Sequence, residues 1–230
     1  MSGSDANKKF GLEKQGITGT KKVFWDLPPS ALYEQALARG EAKILDPKGP
    51  LYVYTGKYTG RSPDDKFTVD DATAHNNIWW GKVNKPFDPA KFDALYARVL
   101  EYLKGKELFA RDCYAGADNK HKVPIRVINE LAWHNLFASN MFVPIKDAQQ
   151  LENHVPEYTV IYVPNFKADP ARDGTRSEAF IIPHFGKKVI LIGGTSYAGE
   201  SKKSIFFLLN YILPLKGVMS MHCSANIGKA

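Results

Sequence analysis

Three short apolar runs, followed by a long amphipathic one, most constrain what this chain can fold into. Tyr158 to Val163, Ala179 to Ile182 and Lys188 to Ile192 have the length and composition of strands. The last two flank Pro183-His184-Phe185-Gly186-Lys187, a spacing that predicts a hairpin with a longer loop. Gly193-Gly194 ends the third run. A helix is then predicted from about Glu200 to Leu213, stopping before Pro214, with Ile205, Leu208, Leu209 and Ile212 on its apolar face.

Earlier segments mix the same two patterns. Residues 1–22 carry glycine, serine and lysine without periodicity and read as a flexible N-terminal arm. Asp26-Leu27-Pro28-Pro29-Ser30 predicts a helix entry with Ser30 as N-cap, ending near Arg39 because Gly40 suits the position after the cap. Leu51 to Thr55 reads as a strand. Asp88 and Pro89 open a helix whose Phe92, Leu95, Val99 and Tyr102 share one face and which Gly105 closes. Val123 to Ile128 reads as a strand, and Asn129 to Asn140 as a helix burying Leu131, Trp133 and Phe137. Val218 to Cys223 alternates like a final core strand. With almost no chain after it, that strand implies a piece of something longer, or a chain that pairs with another. The fold class expected is α/β, with α+β-like character: one domain over residues 23–230, a mixed β-sheet and packed helices.

Composition narrows the function classes. Of 230 residues, 44% are hydrophobic and 24% charged, which excludes disorder, collagen-like structure and a cysteine-stapled scaffold. Lysine and arginine total 31 against 24 aspartates and glutamates, a net charge of +7 that suits an anionic partner. No run reaches five like charges, so nucleic acid is not favoured as that partner, and small anionic metabolites fit equally well. Cys113 and Cys223 form no CxxC and read as free thiols in a reducing compartment. The longest apolar stretch, Phe206 to Leu213, falls far below the ~20 residues that span a bilayer, and a cytoplasmic protein without membrane partners is expected.

Two glycine loops stand out. Thr55 to Lys66 places glycines, small hydroxyls and Arg61 after a strand. That arrangement lets backbone approach a ligand and offers a planar fork to a carboxylate or phosphate, although a plain glycine turn with a surface arginine has the same pattern. Gly194-Thr195-Ser196-Tyr197-Ala198-Gly199-Glu200-Ser201 has the Gly-x4-Gly frame of a phosphate loop, but Glu200 stands where the lysine is required. A strand-to-helix turn able to hold an anion survives. Lys202 and Lys203 follow in the first helical turn, pointing about 100° apart, so one can face a site while the other faces solvent. His222 reads either as a satisfied core histidine or as a ligand, with Ser224 and Asn226 on its face. The other five histidines show no ligand spacing, and Asp173-Gly174-Thr175-Arg176 reads as a turn.

Three segments together resemble ATP-dependent phosphoenolpyruvate carboxykinase. Tyr54 to Lys66 is similar to the family's substrate-loop signature, Gly193 to Phe206 to its second signature, and Leu213 to Asn226 to its third. Val23-Phe24-Trp25 and Phe166-Lys167-Ala168-Asp169-Pro170 extend the likeness from about Lys22 onward. The resemblance implies the fold of that family's N-terminal, substrate-binding domain. It also implies a carboxy-lyase of gluconeogenesis that turns oxaloacetate and ATP into phosphoenolpyruvate, CO2 and ADP with Mn2+ and Mg2+. By motif, Arg61, Tyr197 and Lys203 resemble substrate-binding residues. Lys203 and His222 resemble residues that ligate Mn2+ and meet the nucleotide. The family's nucleotide-binding C-terminal domain, with its phosphate loop and metal aspartate, follows the third signature. Its absence implies a chain inactive by itself, with no tightly bound cofactor. The alternative is a non-catalytic anion-binding or interaction module on the same scaffold.

Overall fold

The computed structural model describes residues 9–46 and 49–228. In chain order the strands and helices are β1 (Lys22–Trp25), α1 (Pro29–Ala38), β2 (Ala42–Ile44), β3 (Leu51–Val53), β4 (Thr68–Val69), β5 (Pro86–Phe87) and α2 (Pro89–Leu103). There follow β6 (Glu107–Ala115), β7 (Val123–Asn129), α3 (Ala132–Met141), β8 (Val143–Pro144), α4 (Ala148–Glu152) and β9 (Tyr158–Val163). The remainder comprises α5 (Pro170–Asp173), β10 (Phe180–His184), β11 (Val189–Gly193) and α6 (Gly199–Leu215).

The central sheet runs β1-β6-β7-β9-β11-β10, with β8 pairing beside β6. It is mixed, as expected. β1 lies parallel to β6, β7 to β9 and β9 to β11, while β6/β7 and β10/β11 are antiparallel. Period-two alternation sends successive residues to opposite faces. Ile161, Val163, Phe180, Ile182 and Leu191 join the face covered by α2 through Phe92, Leu95, Val99 and Leu103. Val160, Tyr162, Ile181, Ile190 and Ile192 join the face covered by α6 through Ile205, Leu208 and Ile212. Covering both faces explains the continuous apolar runs.

Several local expectations hold, and others need correction. Asp88 caps α2 by accepting from the Lys91 N–H at 2.9 Å, with Pro89 at the first helical position. The β10/β11 hairpin forms, its strands shifted one residue C-terminal of the predicted start. Ser30, in contrast, lies inside α1. Pro28 holds the cap position and Pro29 the first turn, because the fixed φ of proline suits N1 and its missing N–H needs no partner there. The strand expected over Leu51 to Thr55 ends at Val53. Helix α3 starts three residues later than predicted, and its buried residues include His134 and Asn135 rather than Trp133 and Phe137. Its inner face is polar and internally bonded: Arg111 Nε donates to Asn135 Oδ1 at 3.1 Å, and Asn135 Nδ2 donates to Asn129 Oδ1 at 3.0 Å.

The flexible arm expected over residues 1–22 is corrected within its described part. Leu12 and Ile17 are buried in the α2 core, and Arg126 donates to the carbonyls of Phe10 and Gly11. Pro214 does not stop α6, which runs to Leu215. The stop is Gly217, at φ +72°: its N–H bonds to Pro214 O and that of Val218 to Leu213 O, both at 2.9 Å. That pair of bonds caps a helix on a left-handed glycine, and a proline in the last turn deletes a single bond. Finally, Val218 to Cys223 forms no strand. Met219 is 80% and Met221 56% exposed, and among the described residues no sheet edge pairs with them. The alternation is real, but among the described residues no strand pairs with it.

Candidate functional site

The two glycine loops meet at the N-terminal end of α6, where β11 delivers its last residue. Gly194 makes the turn at φ +67°, and a Cβ there would lie 2.0 Å from the carbonyl oxygen of Glu178. Only glycine fits that approach. From below, Tyr162 donates its hydroxyl to the carbonyl of Tyr197 at 2.9 Å, and His134 Nε2 lies 2.9 Å from the carbonyl of Ser196. His134 stacks on Tyr162 with ring centroids 4.3 Å apart. Burial holds its pKa down at about 4, so the imidazole is neutral and reaches Ser196 as a donor.

The loop carrying Arg61 is anchored by buried charge. Asp65 is fully buried and receives Arg176 in a two-pronged pair, Nε at 3.0 Å and Nη2 at 2.9 Å, plus the Ser177 hydroxyl at 2.9 Å. Asp173-Gly174-Thr175-Arg176 is therefore more than a turn: Arg176 is the loop's clamp. On the other side, the backbone N–H of Ser62 donates to Glu200 Oε1 at 2.6 Å. Glu200 is 5% exposed. Burial raises its pKa, while the Ser62 hydrogen bond and the charges of Arg61 and Lys66 oppose the rise. The residue that breaks the phosphate-loop pattern thus ties one signature to the other.

Two cavities open on this junction. One, of about 450 Å³, is lined by Arg61, Tyr197, Lys202, Lys203, Trp133 and Phe137 among others. The larger, of about 730 Å³, is lined by Arg61, Lys66, Lys203, Glu200, Phe207 and His222 among others. Arg61 and Lys203 belong to both walls. All four residues singled out from the sequence are brought together, with Tyr197 on one side and His222 on the other. His222 packs edge-on against Phe206 at 5.5 Å between centroids, and Lys203 Nζ is 5.5 Å from that same ring. Its exposure removes the core-histidine reading. Lys202 and Lys203 both line the smaller cavity, although the 100° argument expected only one to do so. Both cysteines are free thiols.

Besides Arg176, four contributors carry no mark of their role in the sequence. Asp65 and Lys66 lay inside a recognised signature without being singled out. Glu200 reads from the sequence only as the residue that spoils a triphosphate loop, and His134 as one of five histidines without ligand spacing. The usable signal for Glu200 was a carboxylate one residue into a helix that follows a glycine turn, where N–H donors converge.

Lys203 and His222, the residues expected from the resemblance to face a metal, both put nitrogen atoms on the wall of the larger cavity. No group of three or more His, Cys, Asp or Glu side chains with metal-holding geometry occurs among the described residues. Two nitrogens alone suit Mn2+ poorly, since it prefers oxygen ligands. No helix among the described residues is long and apolar enough to cross a membrane.

The sequence model of the phosphoenolpyruvate carboxykinase family matches residues 21–230. The chain is 55% identical over 229 residues to the phosphoenolpyruvate carboxykinase (ATP) of Pelobacter propionicus, a match covering 99% of this chain and 43% of that protein. It is 55% identical to that of Geotalea uraniireducens, covering 100% and 43%, and 52% identical to one from Moorella thermoacetica, covering 96% and 42%. The chain thus spans under half the length of these curated relatives. With a match over nearly all of its residues and all three signature segments gathered at one junction, the chain belongs to the phosphoenolpyruvate carboxykinase family.

Proposed function

We propose that residues 23–230 are the substrate-binding part of a cytoplasmic ATP-dependent phosphoenolpyruvate carboxykinase, of whose curated relatives the chain spans under half the length. The observation that carries the reading is the shared wall of two cavities, on which Arg61 and Lys203 stand between Tyr197 and His222. A four-carbon dicarboxylate such as oxaloacetate carries anionic groups at both ends and suits a site whose cations face two ways. Arg61 offers two parallel N–H donors to a carboxylate, which a lysine cannot do. Tyr197, fixed through its backbone by Tyr162, orients the substrate. Lys203 sits where negative charge develops as CO2 departs and the enolate forms, and electrostatic stabilisation of that charge is its contribution. His222 stands beside Lys203 on Phe206, toward the side from which a phosphoryl group would arrive.

Metal and nucleotide chemistry in the family is carried by Mn2+, Mg2+ and ATP. Lys203 and His222 alone do not make a manganese shell, so the work proposed for this chain is binding and orientation. No Gly-x4-Gly-Lys-Ser/Thr occurs in its 230 residues, and ATP turnover is therefore not expected of it.

The test is calorimetric titration of the chain with oxalate, a stable dicarboxylate analogue of the enolate, alongside an ATPase assay. Binding weakened about tenfold or more by Arg61→Lys, with no ATP hydrolysis, is expected. Equal affinity in parent and variant, or saturable hydrolysis abolished by Lys203→Ala, counts against the proposal.

A further inference from the structure

We propose that Lys66 is a further oxyanion-binding residue of this site, taking a carboxylate or phosphate oxygen in the larger cavity beside Arg61 and Lys203. The inference rests on reading the junction as an anion-binding site. The charge pattern carries it. That cavity is lined by Arg61, Lys66, Lys82 and Lys203 against only Asp64 and Glu200. The two acids are committed elsewhere: Asp64 accepts from Lys85 at 3.3 Å, and Glu200 Oε1 holds the Ser62 N–H. Around this loop Lys57 pairs with Glu178, Arg176 with Asp65 and Lys85 with Asp64, which takes their charge out of play. Lys66 forms no such ion pair among the described residues. Its ammonium rests on the face of Phe207, 3.1 Å from the ring centroid. A ring face attracts and locates a cation without neutralising it. Lys203 is held near Phe206 in the same way, so two successive phenylalanines of α6 present two ammonium groups to one cavity. A cavity with surplus, fixed positive charge and low-dielectric walls concentrates anions.

The position of Lys66 is built rather than incidental. The preceding Asp65 is clamped by Arg176, and the following Phe67 donates its N–H to Ile181 O at 3.0 Å, so the backbone on both sides is pinned. Burial pushes the Lys66 pKa down to about 8, Arg61 pushes the same way, and Glu200 opposes. The charged or titratable side chains lining that cavity with it are Arg61, Asp64, Lys82, Glu200, Lys203 and His222. An oxyanion arriving beside Lys66 favours its protonated form and raises that pKa. Near pH 8, binding must then draw a proton from solution.

The experiment is calorimetric titration of the 230-residue chain at pH 8, separately with oxalate and with inorganic phosphate. Each is run in two buffers of different ionisation enthalpy, so that proton uptake is counted. The parent should take up a fraction of a proton per anion. Lys66→Met should lose about tenfold in affinity, the size of one charge-assisted hydrogen bond, together with the uptake. Lys66→Arg, which cannot titrate, should keep most of the affinity and lose the uptake, which separates a binding role from damage to the fold. Parent-like affinity for both anions in Lys66→Met overturns the proposal. So does proton uptake unchanged in Lys66→Arg, and so does failure of the parent to bind either anion. Oxalate binding that falls with Arg61→Lys but not with Lys66→Met leaves the site reading standing and removes Lys66. Lys66-dependent phosphate binding without any oxalate binding supports the oxyanion residue and removes the oxaloacetate reading.

Discussion

Arg61 and His222 line the same cavity but are held in opposite ways. Arg61 sits on a loop fastened to the body of the protein immediately after it, by Ser62 to Glu200 and by Asp65 to Arg176. His222 sits on residues 218–228, which are mostly exposed, and its contact with the body is the edge of Phe206. A loop whose polar groups are satisfied by buried partners is pre-organised before any ligand arrives, so binding pays little ordering entropy there. A mostly exposed segment, with a ring edge as the contact of His222, gains order from whatever binds it. The two halves of the site therefore differ in who supplies the rigidity: the sheet and α6 for Arg61, the ligand or a partner for His222.

Substitutions at graded distances from the sheet sharpen this contrast. The largest effect is expected at Gly194, where alanine would combine a left-handed φ with a backbone collision. Gly194→Ala should cost about 3 kcal/mol or more in urea unfolding, and a loss below about 1 kcal/mol would mean the turn relaxes freely. Asp65→Ala comes next. It removes three hydrogen bonds, but Arg176 is 56% exposed and can return to water, so about 2 kcal/mol is expected, with faster amide exchange at Ser62 to Lys66 as the local signature. Unchanged exchange there would break the claim that the Arg61 loop is fastened by Asp65. His222→Ala should sit at the small end, within about 0.5 kcal/mol of the parent, because little is packed on the imidazole. A larger loss would show the tail to be part of the folded body, and the contrast would fail.

The same contrast decides how much of the molecule was legible in its sequence. Elements whose register is set by side-chain periodicity or by capping residues were readable: β9 was located residue for residue, and the entry of α2 at Asp88 and Pro89 was recovered with its cap. The central strand β6 was missed because its run is interrupted by Arg111 and Asp112. Both charges are buried and paired, Arg111 with Asn135 and Asp112 with Arg126, and no local pattern announces a partner 14 or 24 residues away. The last strand was wrongly read because alternation records a side-chain preference, while strand formation also needs an open backbone edge. In the site, Asp65, Lys66 and Glu200 lie inside the signatures without a mark of their own, and the groups that hold the loops from outside them, His134 and Arg176, carry none either. Their roles depend on contacts across 62 and 111 positions of chain.

The cap at Gly217 sets the reach of His222. From Phe206 to Gly217 the helix and its cap advance eleven positions, about 16 Å at the helical rise. From Gly217 to His222 the five positions of irregular chain can reach back at most about 16 Å, at some 3.3 Å per residue. The outward and return legs match, and this is how a residue sixteen positions later arrives on Phe206. The segment between the glycine and the histidine behaves as a ruler whose length, more than its composition, delivers the imidazole. One residue added to the return leg would carry His222 about 3.3 Å past the ring while leaving the helix and its cap untouched.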